Sequence, residues 1–169
     1  MKMSDDTAPT DRPDHLQVVT FDMQGETFAI EAGMVREIVD HMPETIVPGA
    51  PDMIPGLANF RGRIIPLADL HREFGFGPAR ETIDSRIIVI TYEVNGETTL
   101  VGIKADKVHE VTVLDLATSE VPPRVGMRWR RDYIRCIAKR GGDFIIVPDL
   151  EKVLAAGRRA DVAAEFCEH

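Results

Sequence analysis

Three short sequence patterns recur in the same order in the two halves of this 169-residue chain, and this repeat limits the possible folds more than any other feature. The patterns are GET at 25–27 and 96–98, VREI at 35–38 with VHEV at 108–111, and RG before an apolar run at 61–62 and 140–141. The spacing between copies rises from 71 to 73 to 79 residues, as small loop insertions would produce. The sequence therefore predicts two copies of one small unit.

The segments around the repeats indicate that each unit consists mainly of β-strands. Asn95-Gly96 is a strong hairpin signal, and Gly25 and Gly141-Gly142 stand at further turns between apolar or alternating runs. Residues 32–39 are predicted to form one or two turns of helix, with apolar side chains on one side. Residues 43–56 hold four prolines, which predicts an ordered loop. The predicted fold class is all-β, with two small barrels of about five strands each.

Composition divides the chain into three parts. Residues 1–15 hold two prolines and four aspartates and are predicted to be a disordered leader. Residues 16–157 are predicted to form a single domain. Its halves are roughly 16–84 and 85–157, and the prediction allows strands of one half to pair in the sheet of the other. Residues 158–169 are predicted to form a C-terminal tail or helix. No apolar stretch approaches the ~18 residues that span a membrane, so the expected location is cytoplasmic, without membrane insertion.

Charge is unevenly distributed along the chain, whose formal net charge is -8. Residues 16–60 carry seven acids and one base, a net of -6, whereas residues 124–148 carry seven bases and two acids, a net of +5. These regions are either solvated faces or surfaces for different partners. The acidic balance argues against a nucleic-acid partner. A nucleic-acid-binding β-barrel remains the competing hypothesis. It would bind through a basic loop, which is also a possible patch for an additional partner. The residues of this loop are Arg124, Arg128, Trp129, Arg130 and Arg131.

Sequence motifs that support catalysis are missing. The chain has no phosphate-binding glycine loop, no G-x-S-x-G turn and no H-E-x-x-H pair. Asp69 and His71 would offer two metal ligands if they shared a strand face, but no third or fourth ligand is visible. Cys136 lies in an apolar run and is interpreted as a small core residue. We therefore expect no enzymatic activity, no metal and no cofactor.

Arg61 is the residue that most suggests a binding role. It lies in a glycine-flanked turn before an apolar run. In one interpretation its guanidinium bonds the carbonyl groups of its own loop. In the other it is an exposed planar group presented to a partner, a setting in which arginine is favoured.

Four segments of the chain resemble motifs of the CheW family, the coupling proteins of bacterial chemotaxis. They are 35–38 for V-x-E-I, 47–56 for the I-P-x-x-P-x-x-I-x-G loop, 59–70 (NFRGRIIPLADL) for the N-L-R-G-x-I-x-P-x-x-D-L signature, and 101–111 for V-G-x-x-V-D-x-V-x-E-V. The resemblance covers about residues 16–157. Phe60, in place of the commoner leucine, is a mild departure.

The resemblance implies two interlocked five-stranded SH3-like barrels and no catalytic activity. Family members couple the cytoplasmic signalling tips of methyl-accepting chemoreceptors to the regulatory domain of the CheA-type histidine kinase. The groove between the barrels receives the receptor helix. The resemblance also implies a monomer that assembles into membrane-associated receptor arrays on the cytoplasmic side. A chemosensory pathway other than chemotaxis stays open as an alternative.

The motif positions also imply a receptor-binding surface. By this comparison Val35, Glu37 and Arg61 face the receptor, and Gly56 and Asn59 shape the surface around them. An apolar side chain would pack on the receptor helix while the carboxylate and guanidinium fix its register. No short motif identifies the kinase-binding residues, which are unknown at this level.

Overall fold

The computed structural model describes residues 14–40, 42–50, 54–94, 96–121 and 133–155, and within them the chain forms eleven strands. The strands are β1 (His15–Met23), β2 (Glu26–Glu31), β3 (Val35–Val39), β4 (Glu44–Ile46), β5 (Gly56–Phe60), β6 (Arg63–Ala68), β7 (Arg86–Val94), β8 (Glu97–Ala105), β9 (Lys107–Asp115), β10 (Ile134–Arg140) and β11 (Asp143–Pro148). The helical segments are short and comprise α1 (Leu70–Glu73), 3-10 helices at Ala32–Met34 and Leu116–Thr118, and residues 150–155.

The strands form two sheets that exchange strands between the two halves of the sequence. The first sheet has the order β10-β11-β2-β1-β9, and the second has the order β3-β7-β8-β6-β5-β4. The repeat matches β7, β8, β9, β10 and β11 of the second half with β1, β2, β3, β5 and β6 of the first half. With these matches, the order β10-β11-β2-β1-β9 of the first sheet corresponds strand for strand to β5-β6-β8-β7-β3 of the second sheet, and only β4 has no counterpart. Each half therefore gives its opening hairpin to one sheet and its later strands to the other. The expected all-β class with two interlocked units is confirmed, although β4 makes the second sheet six-stranded.

The hairpin turns predicted from glycine are present. Two-residue turns connect β1 to β2, β7 to β8, and β10 to β11, with pairs such as Met23↔Glu26 and Arg140↔Asp143 closing them. Gly25, Gly96 and the pair Gly141-Gly142 have positive φ angles in these turns. Such turns match the right-handed twist of the flanking strands, which is why they fix the register of a hairpin.

Burial of both faces explains why the central strands read as continuous apolar runs. Side chains alternate between the two faces of a strand. On β1, Phe21 belongs to a large core cluster shared by both sheets, whereas Val18 belongs to a cluster within the first sheet. On β7, Ile88 joins the shared cluster and Val89 joins a cluster within the second sheet. The fold thus has one core between the sheets and one smaller core in each sheet.

Aromatic rings occupy the shared core. The ring centroid of Phe28 lies 6.0 Å from that of Phe21 and 5.4 Å from that of Phe74. Phe74 directly follows α1, and its ring meets Tyr133, just before β10, edge-on at 6.5 Å. These contacts fasten α1 and the start of β10 to the core between the sheets.

Two local expectations need correction. The predicted helix over residues 32–39 was wrong, because only Ala32–Met34 is helical and Val35–Val39 forms β3, paired with β7. The apolar spacing fitted either structure, and strand pairing decided between them. The loop predicted for residues 43–56 contains strand β4, which its prolines flank without interrupting.

The terminal predictions lie mostly outside the described residues. Strand β1 begins at His15, one residue inside the predicted leader, while residues 1–13 and 156–169 are outside the described part of the chain. The leader and tail therefore stay predictions.

Candidate functional site

The candidate site is built on the two-residue turn between β5 and β6. Phe60 pairs with Arg63 across the hairpin, so Arg61 and Gly62 form its tip. Both have left-handed backbone conformations, with φ angles of 53° and 85°. The Asn59 side chain steadies the turn, because its Oδ1 accepts a hydrogen bond of 2.9 Å from the Gly62 N–H.

Arg61 forms a two-pronged ion pair with Glu37 of β3, an edge strand of the same sheet. Its Nε donates to Glu37 Oε1 at 3.0 Å, and its Nη2 donates to Oε2 at 2.7 Å. The hydrogen bonds from Arg61 lower the pKa of the Glu37 carboxyl, and the same contact raises the pKa of Arg61. The Arg61 side chain nevertheless remains 68% exposed and that of Glu37 33%. The pair is therefore a surface feature that contributes little to folding.

The backbone of Arg61 is strained for an arginine. Among the described residues, positive φ angles outside glycine occur at Gln24 and Arg61. A side chain with a Cβ is disfavoured in this region, and residues held there often lie at functional sites. The Arg61 guanidinium also lies over the Phe60 ring, with its Cζ 5.5 Å from the ring centroid. Turn geometry, stacking and the ion pair together fix the orientation of an exposed guanidinium.

The other two residues assigned by motif occupy different places. Val35 is half-buried on β3, two residues before Glu37, and packs against the shared core. Gly56 begins β5 at the end of the hairpin away from Arg61. A Cβ atom built on Gly56 would lie 2.5 Å from Glu44 Oε2 and 2.7 Å from the Thr45 carbonyl oxygen. Gly56 therefore permits close packing of β4 and does not touch the ion pair.

A cleft of about 500 Å³ opens between the two sheets. Met34, immediately before β3, lines it together with Thr91 and Glu93 of β7. The first sheet contributes Glu31 and the end of β11 at Pro148. The cleft thus begins beside the strand that carries Val35 and Glu37.

The first sheet contains a second ion pair that corresponds to Glu37–Arg61. Arg140 Nη1 lies 2.6 Å from Glu110 Oε2, and the repeat matches Glu110 with Glu37. The sequence repeat aligned Arg61-Gly62 with Arg140-Gly141. In the structure the residues at the tip of the second hairpin are Gly141-Gly142, one position later, so Arg140 is the last residue of its strand. Sequence reasoning missed this second pair as a structural feature, although the repeat was a signal that could have found it.

The described part of the basic region is paired within the chain. Arg135 lies 3.5 Å from Glu31, and Lys139 lies 2.9 Å from Glu120. These contacts agree with an ordinary solvated face for this segment. The possible partner patch, Arg124, Arg128, Trp129, Arg130 and Arg131, lies outside the described residues.

Residues that suggested metal or thiol chemistry have structural surroundings. Asp69 caps the start of α1, so it does not share a strand face with His71 as the sequence had suggested. Within the described ranges, no group of His, Cys, Asp and Glu side chains is arranged to hold a metal ion. Cys136 is buried in the cluster of the first sheet. In the same ranges we find no helix with the length and apolar character to cross a membrane.

An exposed guanidinium held in one orientation suits contact with another protein, because arginine is enriched at the residues that dominate such interfaces. The family model described as CheW-like domain matches residues 17–158. The chain therefore belongs to the CheW family of chemotaxis scaffold proteins.

Individual relatives agree with this assignment. The chain is 27% identical to a protein named Chemotaxis protein CheW from Treponema pallidum (strain Nichols), over 85% of this chain and 84% of that protein. It is 24% identical to the Chemotaxis protein CheW of Rhizobium meliloti (strain 1021), over 85% and 90%. The crystal structure of the scaffolding protein TtCheW from Thermoanaerobacter tengcongensis superposes with a TM-score of 0.68 at 34% identity, covering 79% of this chain and 88% of that one.

Proposed function

We propose that this protein couples the cytoplasmic signalling tips of chemoreceptors to the regulatory domain of a CheA-type histidine kinase. It would act in the cytoplasm, as a monomer that joins membrane-associated receptor arrays. Membership of the CheW family supports this role, and the site geometry supports the place of receptor contact. The kinase-binding residues are left open, because no described feature singles them out.

One observation carries the proposed receptor site. Arg61 occupies a turn position that disfavours arginine, yet its exposed ion pair with Glu37 gives folding little in return. A sequence that breaks a local folding rule without a folding gain is often doing so for function. We infer that the turn holds the guanidinium ready for a partner.

The surroundings of Arg61 suit a receptor helix. Ile64, which pairs with Asn59 beside the turn, is 66% exposed. A helix lying across this surface would pack an apolar side chain on Ile64. The Glu37 carboxylate and Arg61 guanidinium would then fix its register by charge. The neighbouring cleft between the sheets provides room for the helix to continue past Val35.

The first test is the substitution Arg61→Glu, measured by titration against a purified receptor signalling fragment. We expect the affinity to fall by about tenfold or more, because a charge reversal at an oriented contact costs more than a lost rim contact. Arg140→Glu is the matched control, because it breaks the corresponding ion pair on the first sheet and should leave this affinity unchanged. Circular dichroism should show both variants folded. Unchanged receptor affinity in a folded Arg61→Glu protein would remove Arg61 from the site.

Double charge reversal separates a binding role from a structural one. Glu37→Arg combined with Arg61→Glu can restore the ion pair within the chain in the opposite orientation. If the pair served only to steady the turn, receptor binding would return. If the two charges face the receptor, binding stays weak. We expect the second result.

A parallel measurement tests the kinase arm of the proposal. Co-sedimentation with the CheA-type kinase should detect binding to the unmodified protein and to Arg61→Glu alike, because the receptor and kinase surfaces are proposed to be separate. Receptor-dependent stimulation of kinase phosphorylation should fall in Arg61→Glu. Failure of the unmodified protein to bind the kinase would overturn the coupling role but not the fold.

A further inference from the structure

His71 is a fully buried histidine held between two carboxylates. Its side chain is only 2% exposed. Its Nε2 lies 2.9 Å from Asp106 Oδ1, and its Nδ1 lies 3.2 Å from Asp69 Oδ1. The Nδ1 atom has no well-aligned hydrogen bond, so its contact with Asp69 is mainly electrostatic. The proposed receptor site uses none of these groups.

This arrangement favours the protonated imidazole. A neutral imidazole has one N–H and one lone pair, so one carboxylate would face the lone pair; the imidazolium donates on both sides. Burial acts against the charge, but the contacts with Asp69 and Asp106 outweigh it and raise the pKa of His71 above its ordinary value of 6.5. The charged form of Asp69 is favoured as well. Burial opposes its charge, yet the contacts with His71 and the Ala79 N–H lower the pKa of the Asp69 carboxyl below 3.8.

The two carboxylates extend the contact to distant parts of the chain. Asp106 lies between β8 of the second sheet and β9 of the first, and its Oδ2 accepts a 2.7 Å hydrogen bond from the Gln24 N–H. Gln24 is the other described non-glycine residue with a positive φ, at the tip of the β1–β2 hairpin. Asp69 Oδ2 accepts a 3.0 Å hydrogen bond from the Ala79 N–H. His71 thus connects α1 and the loop after it to a strained turn of the first sheet.

Other charged groups face this cluster from the elements packed around it. Arg72 of α1 lies 3.4 Å from Asp69 Oδ2, and Lys104 of β8, itself paired with Glu44, also lowers the pKa of Asp69. His109 of β9 lies 2.9 Å from Asp22 of β1. The cleft outside the cluster is lined by the charged residues Arg80, Asp84 and Lys107.

We propose that His71 is a proton-dependent link between the two sheets, which holds the Asp69 and Asp106 carboxylates together when protonated and releases one of them when neutral. Since the pKa is raised in the folded protein, the link is fully present below pH 6.5 and is lost as pH rises through the pKa of folded His71. At the acid end it is lost as pH falls through the lowered pKa of Asp69. Loss of the imidazolium charge weakens the hold on both carboxylates, and so loosens the loop around Ala79, bound by Asp69, and the strained turn at Gln24, bound by Asp106.

The test is an NMR titration of the full-length protein, followed through its histidine ring nitrogens and backbone amides. His71→Gln identifies the His71 signals among those of the five histidines. We expect His71 to titrate with a midpoint above 6.5, and the Gln24 amide signal to shift with the same midpoint. Amide exchange at Ala79, corrected for the intrinsic effect of pH, should rise by about tenfold or more above that midpoint, the scale of one lost charged hydrogen bond.

Two variants and one control make the result decisive. Asp106→Asn should lower the His71 midpoint and uncouple the Gln24 signal from it. His71→Arg, with a permanent cation, should remove the pH dependence at Gln24 and Ala79; if it does not fold, Asp106→Asn carries the test. His109→Gln removes a more exposed histidine–carboxylate pair and should leave both responses unchanged. A His71 midpoint at or below 6.5, or a Gln24 amide that ignores the titration of His71, overturns the proposal.

Discussion

Substitution of Gly102 by alanine tests the packing of the second sheet. Gly102 lies in β8, paired with Leu67 of β6 on one side and Val89 of β7 on the other. An added Cβ would lie 2.6 Å from Leu67 Cδ2 and 2.8 Å from Ile87 Cγ2, well inside the 3.5–4.0 Å optimum for two carbons. Leu67 is 1% exposed and belongs to the core cluster of the second sheet, so the added atom must displace a packed side chain.

The expected size of this effect is a balance of two terms. Overpacking of a well-packed core costs about 1–3 kcal/mol. Replacing glycine by alanine in a regular element returns about 0.5–1 kcal/mol of backbone entropy. We therefore expect Gly102→Ala to lower the free energy of unfolding by roughly 1–2 kcal/mol, which corresponds to a fall in Tm of about 2–8 °C for a chain of this size.

The assay is thermal and urea unfolding followed by circular dichroism. Gly33→Ala is the matched control, because a Cβ at Gly33 meets nothing within 4 Å and its φ is not positive, so stability should stay the same or rise slightly. Leu67→Val removes the crowding Cδ2 atom. In that background Gly102→Ala should cost less, with a coupling of about 0.5–3 kcal/mol. If Gly102→Ala is as harmless as Gly33→Ala, the side chains of Leu67 and Ile87 do not limit the space at Gly102 and this reasoning fails.

Two further predictions concern the core and the candidate site. Phe28→Ala should destabilise the protein by about 3–5 kcal/mol in urea unfolding, because it empties the centre of the core shared by both sheets; a loss below about 1 kcal/mol would contradict that location. Arg61→Asn should raise the pKa of the Glu37 carboxyl towards 4.5, because the hydrogen bonds from the guanidinium are lost. In an acid titration followed by carboxyl carbon NMR, Glu37 of the variant should therefore take up its proton at a higher pH than Glu37 of the unmodified protein. The same variant should keep or slightly raise Tm, since asparagine tolerates the left-handed turn better than arginine; a marked fall in Tm would show that the ion pair supports folding.

The sequence predicted the class of fold because local signals and tertiary structure agree in most of the chain. Glycine turns and β-branched runs defined the hairpins, and the repeat defined two related units. It did not predict which sheet each hairpin joins. That choice depends on side chains far apart in sequence, such as Phe21 of β1 and Ile88 of β7 in the shared core. The helix predicted for 32–39 failed for the same reason, because pairing of β3 with β7 is a contact between distant segments.

For the candidate site, the sequence predicted most of the residues but not the contacts between them. The turn signature and the family resemblance singled out Arg61, Glu37 and Asn59, and the structure brings these three together. The ion pair could not be predicted, because residues 24 positions apart meet only after β3 and the β5–β6 hairpin are placed. Gly56 was grouped with them by motif, whereas its backbone packs against Glu44 and Thr45. The pairing of His71 with Asp106, 35 positions away, was equally hidden.

Comparison of the two related ion pairs shows what is particular to Arg61. Arg140 reaches Glu110 from a strand position, and the following tip is formed by two glycines, which adopt positive φ without strain. This fold can therefore build a hairpin-to-strand ion pair with no arginine in the left-handed region. Arg61 instead occupies the tip itself, at a φ of 53°. The ion pair alone does not require that position, so the strained turn is better explained by the outward presentation of the guanidinium. For that reason Arg61→Glu and Arg140→Glu, alike in charge and chemistry, should separate in receptor binding.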